Sequence, residues 1–248
     1  MSMLTNNEFK MLKQLKQKKF RQEQAMFVVE GKKLVEEVLK SSFKTKNVFA
    51  TEKFKENNED FNTAITISKT QSEQISSMRT DPEVYALVEM KHNNIDDHSL
   101  KNRILLLDDV KDAGNLGTII RTADWFNIEL IVCSNDCVEM YNNKVLQASM
   151  GSFTRVDVIY RQLEDFMPKH NYMYYGAFLE GTPIEEVGFD DTPTALVLGS
   201  ESHGISEKVK KYIQKHIYIP PINNKRCCPE SLNVATASVK DLIRKRAV

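Results

Sequence analysis

The sequence is short of the features that would place it in a membrane or around a metal. No apolar stretch among its 248 residues approaches the length needed to span a bilayer, and the N-terminus has no apolar signal-peptide core. A cytoplasmic protein with no membrane partner is expected. Cysteine is scarce: Cys133 and Cys137 are four apart, and Cys227 adjoins Cys228. Neither spacing is that of a zinc knuckle or ribbon, in which two residues separate paired ligands, so no metal is expected and reduced structural thiols are. Two nucleotide signatures are also missing. A dinucleotide fingerprint, G-x-G-x-x-G, needs a third glycine that does not follow Gly114 and Gly117, and no G-x-x-x-x-G-K-[ST] loop occurs.

There is no net charge either, with 34 basic against 34 acidic residues, but the charges are segregated. Lys10, Lys13, Lys16, Lys18, Lys19 and Arg21 face the single acid Glu8 in one stretch. Lys208, Lys210, Lys211, Lys215, Lys225 and Arg226 form another, opposed only by Glu207, while the span from Glu180 to Glu201 has acids and no Lys or Arg. Such segregation suits a protein that meets phosphates on one side, although either stretch alone also reads as a solvated helix face.

Composition is otherwise that of a globular chain, 41% hydrophobic and 27% charged, long enough for one large or two modest domains. A polar, aperiodic stretch over residues 91–102 reads as a linker, giving domains at 1–92 and 103–248. Before it, the pattern predicts helices at Phe9–Lys18, Gly31–Leu39 and Gln71–Met78. The last is capped by Ser68 or Thr70. Strands are predicted at Phe27–Val29, Val48–Ala50, Ala64–Ile67 and Tyr85–Met90, with a polar stretch from Glu52 to Asn62. After it, strands (Ile104–Leu107, Glu129–Cys133, Arg155–Ile159, Tyr172–Ala177, Ala195–Leu198, His216–Ile219) alternate with helices (Leu116–Phe126, Lys144–Met150, Leu163–Lys169, Glu207–Ile213, Leu232–Lys245). That alternation predicts an α/β fold with a parallel sheet.

Three segments follow or lie near strand ends, where open α/β sheets bind ligands. In Asp112–Arg121, Asn115 is a good N-cap for the helix from Leu116, and Gly117 and Arg121 share a face, the glycine leaving space beside the guanidinium for a ligand or another chain. In Leu198–Ile205, Gly199 and Gly204 bracket Glu201, Ser202 and His203 in a tight loop whose backbone could hug a ligand. There Glu201 is either a ribose acceptor, a support for an arginine, or a plain loop carboxylate. In Pro229–Thr236, Ser231 and Asn233 flank Leu232 at the start of a helix rich in small residues.

Together and in this order, the segments resemble the three motifs of the SpoU family of RNA ribose 2′-O-methyltransferases. Phe27–Gly31 with Leu34 and Val35 resembles that family's substrate-binding domain, which is similar to an RNA-binding ribosomal protein fold. The resemblance implies a smaller N-terminal α/β domain and a C-terminal α/β sheet whose last segment threads a trefoil knot. It further implies S-adenosyl-L-methionine as cofactor, RNA as substrate (ribosomal rather than transfer RNA) and a homodimer. By motif, Gly199, Ile219 and Leu232 would contact the cofactor, and Asn115, Arg121, Glu201, Ser231 and Asn233 would line the reacting centre. The loop Pro221–Cys228 is longer and more basic than the family's, and His203 stands where a smaller residue is common. S-adenosylmethionine is already an activated methyl donor, so the protein must supply alignment and a path for the ribose hydroxyl proton. Arg121, the family's usual base, reads better as a phosphate clamp, because guanidinium groups stay protonated in proteins. Two other readings remain: an RNA-binding protein that has lost catalysis, and a nucleotide-dependent oxidoreductase.

Overall fold

A computed structural model describes residues 4–91, 101–188 and 192–220. Two sheets divide them. The first is four-stranded in the order β1-β4-β2-β3, formed by β1 (Met26–Glu30), β2 (Thr45–Thr51), β3 (Ile65–Ile67) and β4 (Val84–Glu89). β4 runs antiparallel to both β1 and β2, and β2 runs parallel to β3. Both faces are covered, which is why β1 is buried at every position. Leu12, Leu15 and Ile75, from α1 (Asn6–Gln14), its C-cap and α5 (Lys69–Ile75), pack with Val28, Phe49 and Tyr85 on one face. On the other face, Leu34, Val35 and Val38 of α3 (Lys32–Leu39) and Phe54 of α4 (Glu52–Glu56) join Phe27, Val29 and Ala86.

The second sheet has six parallel strands in the order β10-β8-β9-β5-β6-β7. They are β5 (Arg103–Leu107), β6 (Leu130–Cys133), β7 (Asp157–Tyr160), β8 (Met173–Pro183), β9 (Thr194–Leu198) and β10 (Lys215–Tyr218). The central strands β5, β6 and β9 are apolar almost without alternation because helices cover both faces. Leu105, Leu107 and Ile131 meet α6 (Ala113–Trp125) and α7 (Asn143–Ser149). Ile104, Leu106 and Val197 meet α8 (Leu163–Phe166) and α9 (Glu207–Lys210) on the other side. The α/β class is as expected. The helix expected at Leu232–Lys245 and the segment that would thread a knot lie outside the described residues.

Several local readings are corrected. Asn115 is not the N-cap of α6: Asp112 is, its carboxylate accepting the Asn115 amide at 2.9 Å, so the helix starts three residues earlier and Asn115 sits in its first turn. Ser68, rather than Thr70, caps α5, in a reciprocal box with Gln71. The polar stretch 52–62 holds α4 and a 3-10 turn whose Phe54 and Phe61 are buried edge to face. A further helix, α2 (Lys18–Gln24), was not expected, because its one buried side chain is Arg21.

Gly117 carries the largest correction. A Cβ there would lie 2.5 Å from the Ala148 methyl and 2.7 Å from the Val145 carbonyl oxygen, so its bare face is filled by α7 and not by a ligand. Gly117→Ala should force α6 and α7 apart at a cost of about 1–3 kcal/mol, the usual range for overpacking, read as a lower midpoint in urea. An unchanged midpoint would show that the helices are less closely engaged.

The two sheets share one continuous core. Phe27 of β1 stacks on Tyr141 at 4.5 Å and meets Phe153 edge-on at 6.2 Å, and Phe43 also packs on Phe153. Polar contacts frame that contact. Arg21 is buried and forks onto Glu139, with Nε 3.3 Å from Oε1 and Nη2 on Oε2. Asn143 donates to Glu30 at 2.8 Å, and Arg155 bridges Glu37 and Asp124. Arg21 is thus an internal strut, removed from the basic stretch read as phosphate-facing. Lys16 is also engaged, donating to the carbonyls of Gln74 and Ser76.

Candidate active site

β5 and β9 lie side by side, but the chain leaves them in opposite directions, β5 toward β6 and β9 past β8 to β10. That is a topological switch point, and a crevice opens beyond the strand ends there. It has a volume of about 990 Å³ and is walled by the β5–α6 turn (Asp109 to Asp112, with Asn115), by Gly199–Ile205, and by Ala177–Glu180 of β8.

The first wall is shaped by capping. Asp112 receives the Asn115 amide and pairs with Lys144 at 3.2 Å. That amide, with Lys144 behind it, holds the Asp112 carboxyl below the usual carboxylate range. The second wall is a closed loop. Ser200 and Gly204 exchange backbone hydrogen bonds at 3.0 and 2.9 Å, and a Cβ on Gly199 would overlap the Gly204 carbonyl and the Ile205 nitrogen. Glycine at 199 is therefore demanded by the loop's own folding. The two walls are tied together by Asn115, whose side-chain amide donates to Glu201 at 2.7 Å across 86 residues of sequence.

The third wall was not foreseen. β8 pairs with β10 at Gly176 and again at Thr182, with adjacent partners His216 and Ile217, so residues 177–181 bulge out toward the crevice. Phe178 stacks on His216 at 4.2 Å, Lys210 sits over the Phe178 ring, and Leu179 stands 67% exposed. The only sequence signal was Gly181, whose φ of +148° and contact with the His216 carbonyl exclude a side chain.

Of the expected site residues, Asn115, Gly199 and Glu201 line the same crevice. Arg121 does not. It is exposed on α6, one turn past Gly117, with no hydrogen bond or ion pair among the described residues. Ile219 follows β10, half-buried against the main core. Ser231, Leu232 and Asn233 lie outside the described residues. His203 is exposed at the crevice, its Nδ1 3.0 Å from the Ser202 hydroxyl. Cys133 and Cys137 are free and buried beneath the β5–α6 turn. Among the described residues no three His, Cys, Asp or Glu side chains are grouped as metal ligands.

The crevice carries the carboxylates of Asp109, Asp112, Glu180, Glu201 and Glu207 and is rimmed by Lys111 and Lys210. An α/β scaffold with an acidic, glycine-lined cleft at its switch point defines a class that binds a small cationic or nucleoside ligand beyond its strand ends. Comparison with known proteins makes the class specific. Residues 102–239 match the model of the SpoU rRNA Methylase family, more than half of the chain, and the chain belongs to that family. Residues 6–86 match an MRM3-like substrate binding domain.

The chain is 29% identical over 240 residues to the 23S rRNA (guanosine(2553)-2'-O)-methyltransferase RlmP of Bacillus subtilis, covering 94% of this chain and 93% of that one. A solved structure from Porphyromonas gingivalis, assigned to the TrmH family of RNA methyltransferases, superposes with a TM-score of 0.85 at 31% identity, covering 98% of this chain and all of the other. The SpoU methyltransferase AviRb of Streptomyces viridochromogenes, solved in complex with AdoMet, superposes with a TM-score of 0.84 at 19% identity, covering 98% of each chain, and so shares the fold.

Proposed function

We propose that the chain is an S-adenosylmethionine-dependent methyltransferase of RNA ribose 2′-hydroxyls, acting on ribosomal RNA in the cytoplasm. The observation that carries this reading is the Asn115–Glu201 hydrogen bond, which brings two of the family's motifs to one mouth of the switch-point crevice. Family membership, the RlmP relative and the substrate-binding match over residues 6–86 support it. We assign RNA binding to 1–92 and methyl transfer to 103–248.

The residues present fit the cofactor. The Gly199 backbone approaches the crevice without a side chain in the way, and the carboxylates around it suit a sulfonium and an ammonium group. Gly199, with Ile219 and Leu232, would hold the cofactor. S-adenosylmethionine supplies, when bound, a methyl group activated by its positive sulfur. Everything else falls to the chain. Asn115 fixes Glu201 Oε1, leaving the second carboxylate oxygen, which has no partner among the described residues, to accept a hydrogen bond from a ribose hydroxyl. Asn115, Glu201, Ser231 and Asn233 would orient that hydroxyl, and Arg121 would neutralise the adjoining phosphate. Arg121 lies outside its own crevice, on an α6 face that also carries Trp125 at 84% exposure, and this supports the homodimeric reading.

Methyl transfer from labelled S-adenosylmethionine to total RNA, followed by site mapping, tests the assignment. Label in ribosomal RNA as 2′-O-methyl nucleotides is the expected result, and label in transfer RNA alone would move the substrate. No label in any RNA, with cofactor bound, would leave an RNA-binding protein. Replacing the exposed Lys10, Lys18 and Lys19 by Ala should lower the slope of log affinity against log salt by roughly 2–3, as expected if each meets one phosphate. An unchanged slope would place the RNA elsewhere.

A further inference from the structure

The loop that presents Glu201 is fastened at more points than Asn115. The chain leaves β5 at Asp108, a residue only 6% exposed. Its backbone N–H continues the β5–β9 ladder by donating to the Leu198 carbonyl at 2.9 Å. Its carboxylate Oδ2 then reaches across and accepts the backbone N–H of Ser206 at 2.7 Å. Ser206 is the residue before α9, and its own side chain makes no capping bond. One buried carboxylate thus grips the far end of the Gly199–Ile205 loop while the ladder grips the near end.

The direction of that carboxylate is set from behind. Immediately after it, Asp109 turns the backbone through a left-handed conformation (φ +59°), which costs free energy for a non-glycine residue. The turn is held by the segment after β6. Ser134 Oγ accepts the Asp109 N–H at 3.0 Å, Cys137 Sγ accepts the Val110 N–H at 3.2 Å, and Val138 N–H donates to the Val110 carbonyl at 2.9 Å. A hydrogen bond with Cys133, aided by Ser134 and the Val110 amide, brings the Cys137 thiol down to about 7 against the opposing effect of burial. A residue bracketed in this way on the β6 side has its side chain aimed at the β9 side.

We propose that Asp108 is a positioning residue for methyl transfer: by holding the Ser206 amide it fixes the Gly199–Ile205 loop, and through it Glu201, at the reacting centre. The inference rests on the methyltransferase reading above. It assigns Asp108 no contact with substrate or cofactor, since the residue does not line the crevice. A buried carboxylate whose partner is an amide is costly to disturb, because removing either group leaves the other without its hydrogen bond.

Two variants remove the brace from opposite ends. Asp108→Ala deletes the acceptor. Ser206→Pro removes the N–H donor, at a residue whose φ of −65° is already that of proline, and sets its ring Cδ where that hydrogen faced the Asp108 carboxylate. Each is expected to lower kcat about 10- to 100-fold, the effect of one lost buried hydrogen bond, and the double variant should fall no further than the worse single one. Asp108→Asn, which keeps an acceptor oxygen, should recover activity to within about threefold of the parent. Hydrogen exchange supplies a readout independent of activity: amides of residues 200–205 should exchange faster in Asp108→Ala and Ser206→Pro, while β5 and β9 keep their protection.

A kcat within twofold of the parent in Asp108→Ala would overturn the positioning role, as would additive losses in the double variant. Unchanged exchange at 200–205 would overturn the brace itself. Should Asp108→Ala fail to fold, Ser206→Pro and Asp108→Asn decide the matter by the same measurements. If the parent protein transfers no methyl group, the functional reading fails, and exchange alone still decides whether Asp108 holds the loop.

Discussion

Glu139→Ala is expected to destabilise the protein by about 3–5 kcal/mol, because it strands the Arg21 guanidinium in a site that is nearly closed to water. For a chain of this size that corresponds to a fall in Tm of roughly 6–20 °C. Arg21→Ala should cost a similar amount from the other side. The doubly apolar replacement, Arg21→Met with Glu139→Leu, should cost much less, since no charge is then left unpaired. Scanning calorimetry of the three variants is the check. A Tm within about 2 °C of the parent for Glu139→Ala would show that water reaches the pair.

The same variants separate two roles for Arg21. A phosphate contact would lower RNA affinity and leave stability unchanged, whereas a strut lowers stability first. Because Phe27, Tyr141 and Phe153 form one apolar contact beside this pair, the two sheets should unfold in one transition. The four-stranded unit is thus seated on the six-stranded one through β1 and α7, and α7 in turn lies against Gly117 of α6.

What the sequence made legible follows from what each pattern encodes. The parallel strands were readable because strands covered on both faces are continuous apolar runs, as in Ile104–Leu107 and Ala195–Leu198. The start of α6 was misplaced because Asp112 and Asn115 are both strong caps, and Ala113-Gly114 between them carries no stripe to show on which the helix begins. α2 was invisible because pattern reading treats an arginine as solvated, whereas this one is buried on Glu139, 118 positions away, and on the Leu15 and Lys16 carbonyls. At Gly117, spacing showed that a helix face is bare, but not that Val145 and Ala148 cover it. At the site, motif order brought out Asn115, Gly199 and Glu201. Asp108 escaped notice because its carboxylate meets a backbone amide, which no side-chain motif records.

Arg121→Ala is expected to lower kcat by about 10²–10³, the loss of about 2.7–4 kcal/mol that follows removal of one donor aimed at developing negative charge. The residue is suited to that role by its fixed charge and five-donor fork, and among the described residues nothing in its own chain occupies that fork. S-adenosylmethionine affinity, measured by calorimetry, should change little, because Arg121 does not line the crevice that carries Gly199. Arg121→Lys should retain part of the activity, since a point charge persists where the bidentate grip is lost. Methylation at the parent rate in Arg121→Ala would remove the residue from the reacting centre. Lys and Ala variants that are equally inactive, with RNA binding intact, would instead favour a guanidinium that takes the ribose proton. Where the arginine acts is decided by mixing. If it serves a neighbouring copy's crevice, combining inactive Arg121→Ala with inactive Glu201→Gln chains should restore up to a quarter of the parent activity, from the mixed dimers that hold one intact site. If it serves its own crevice, the mixture should stay inactive.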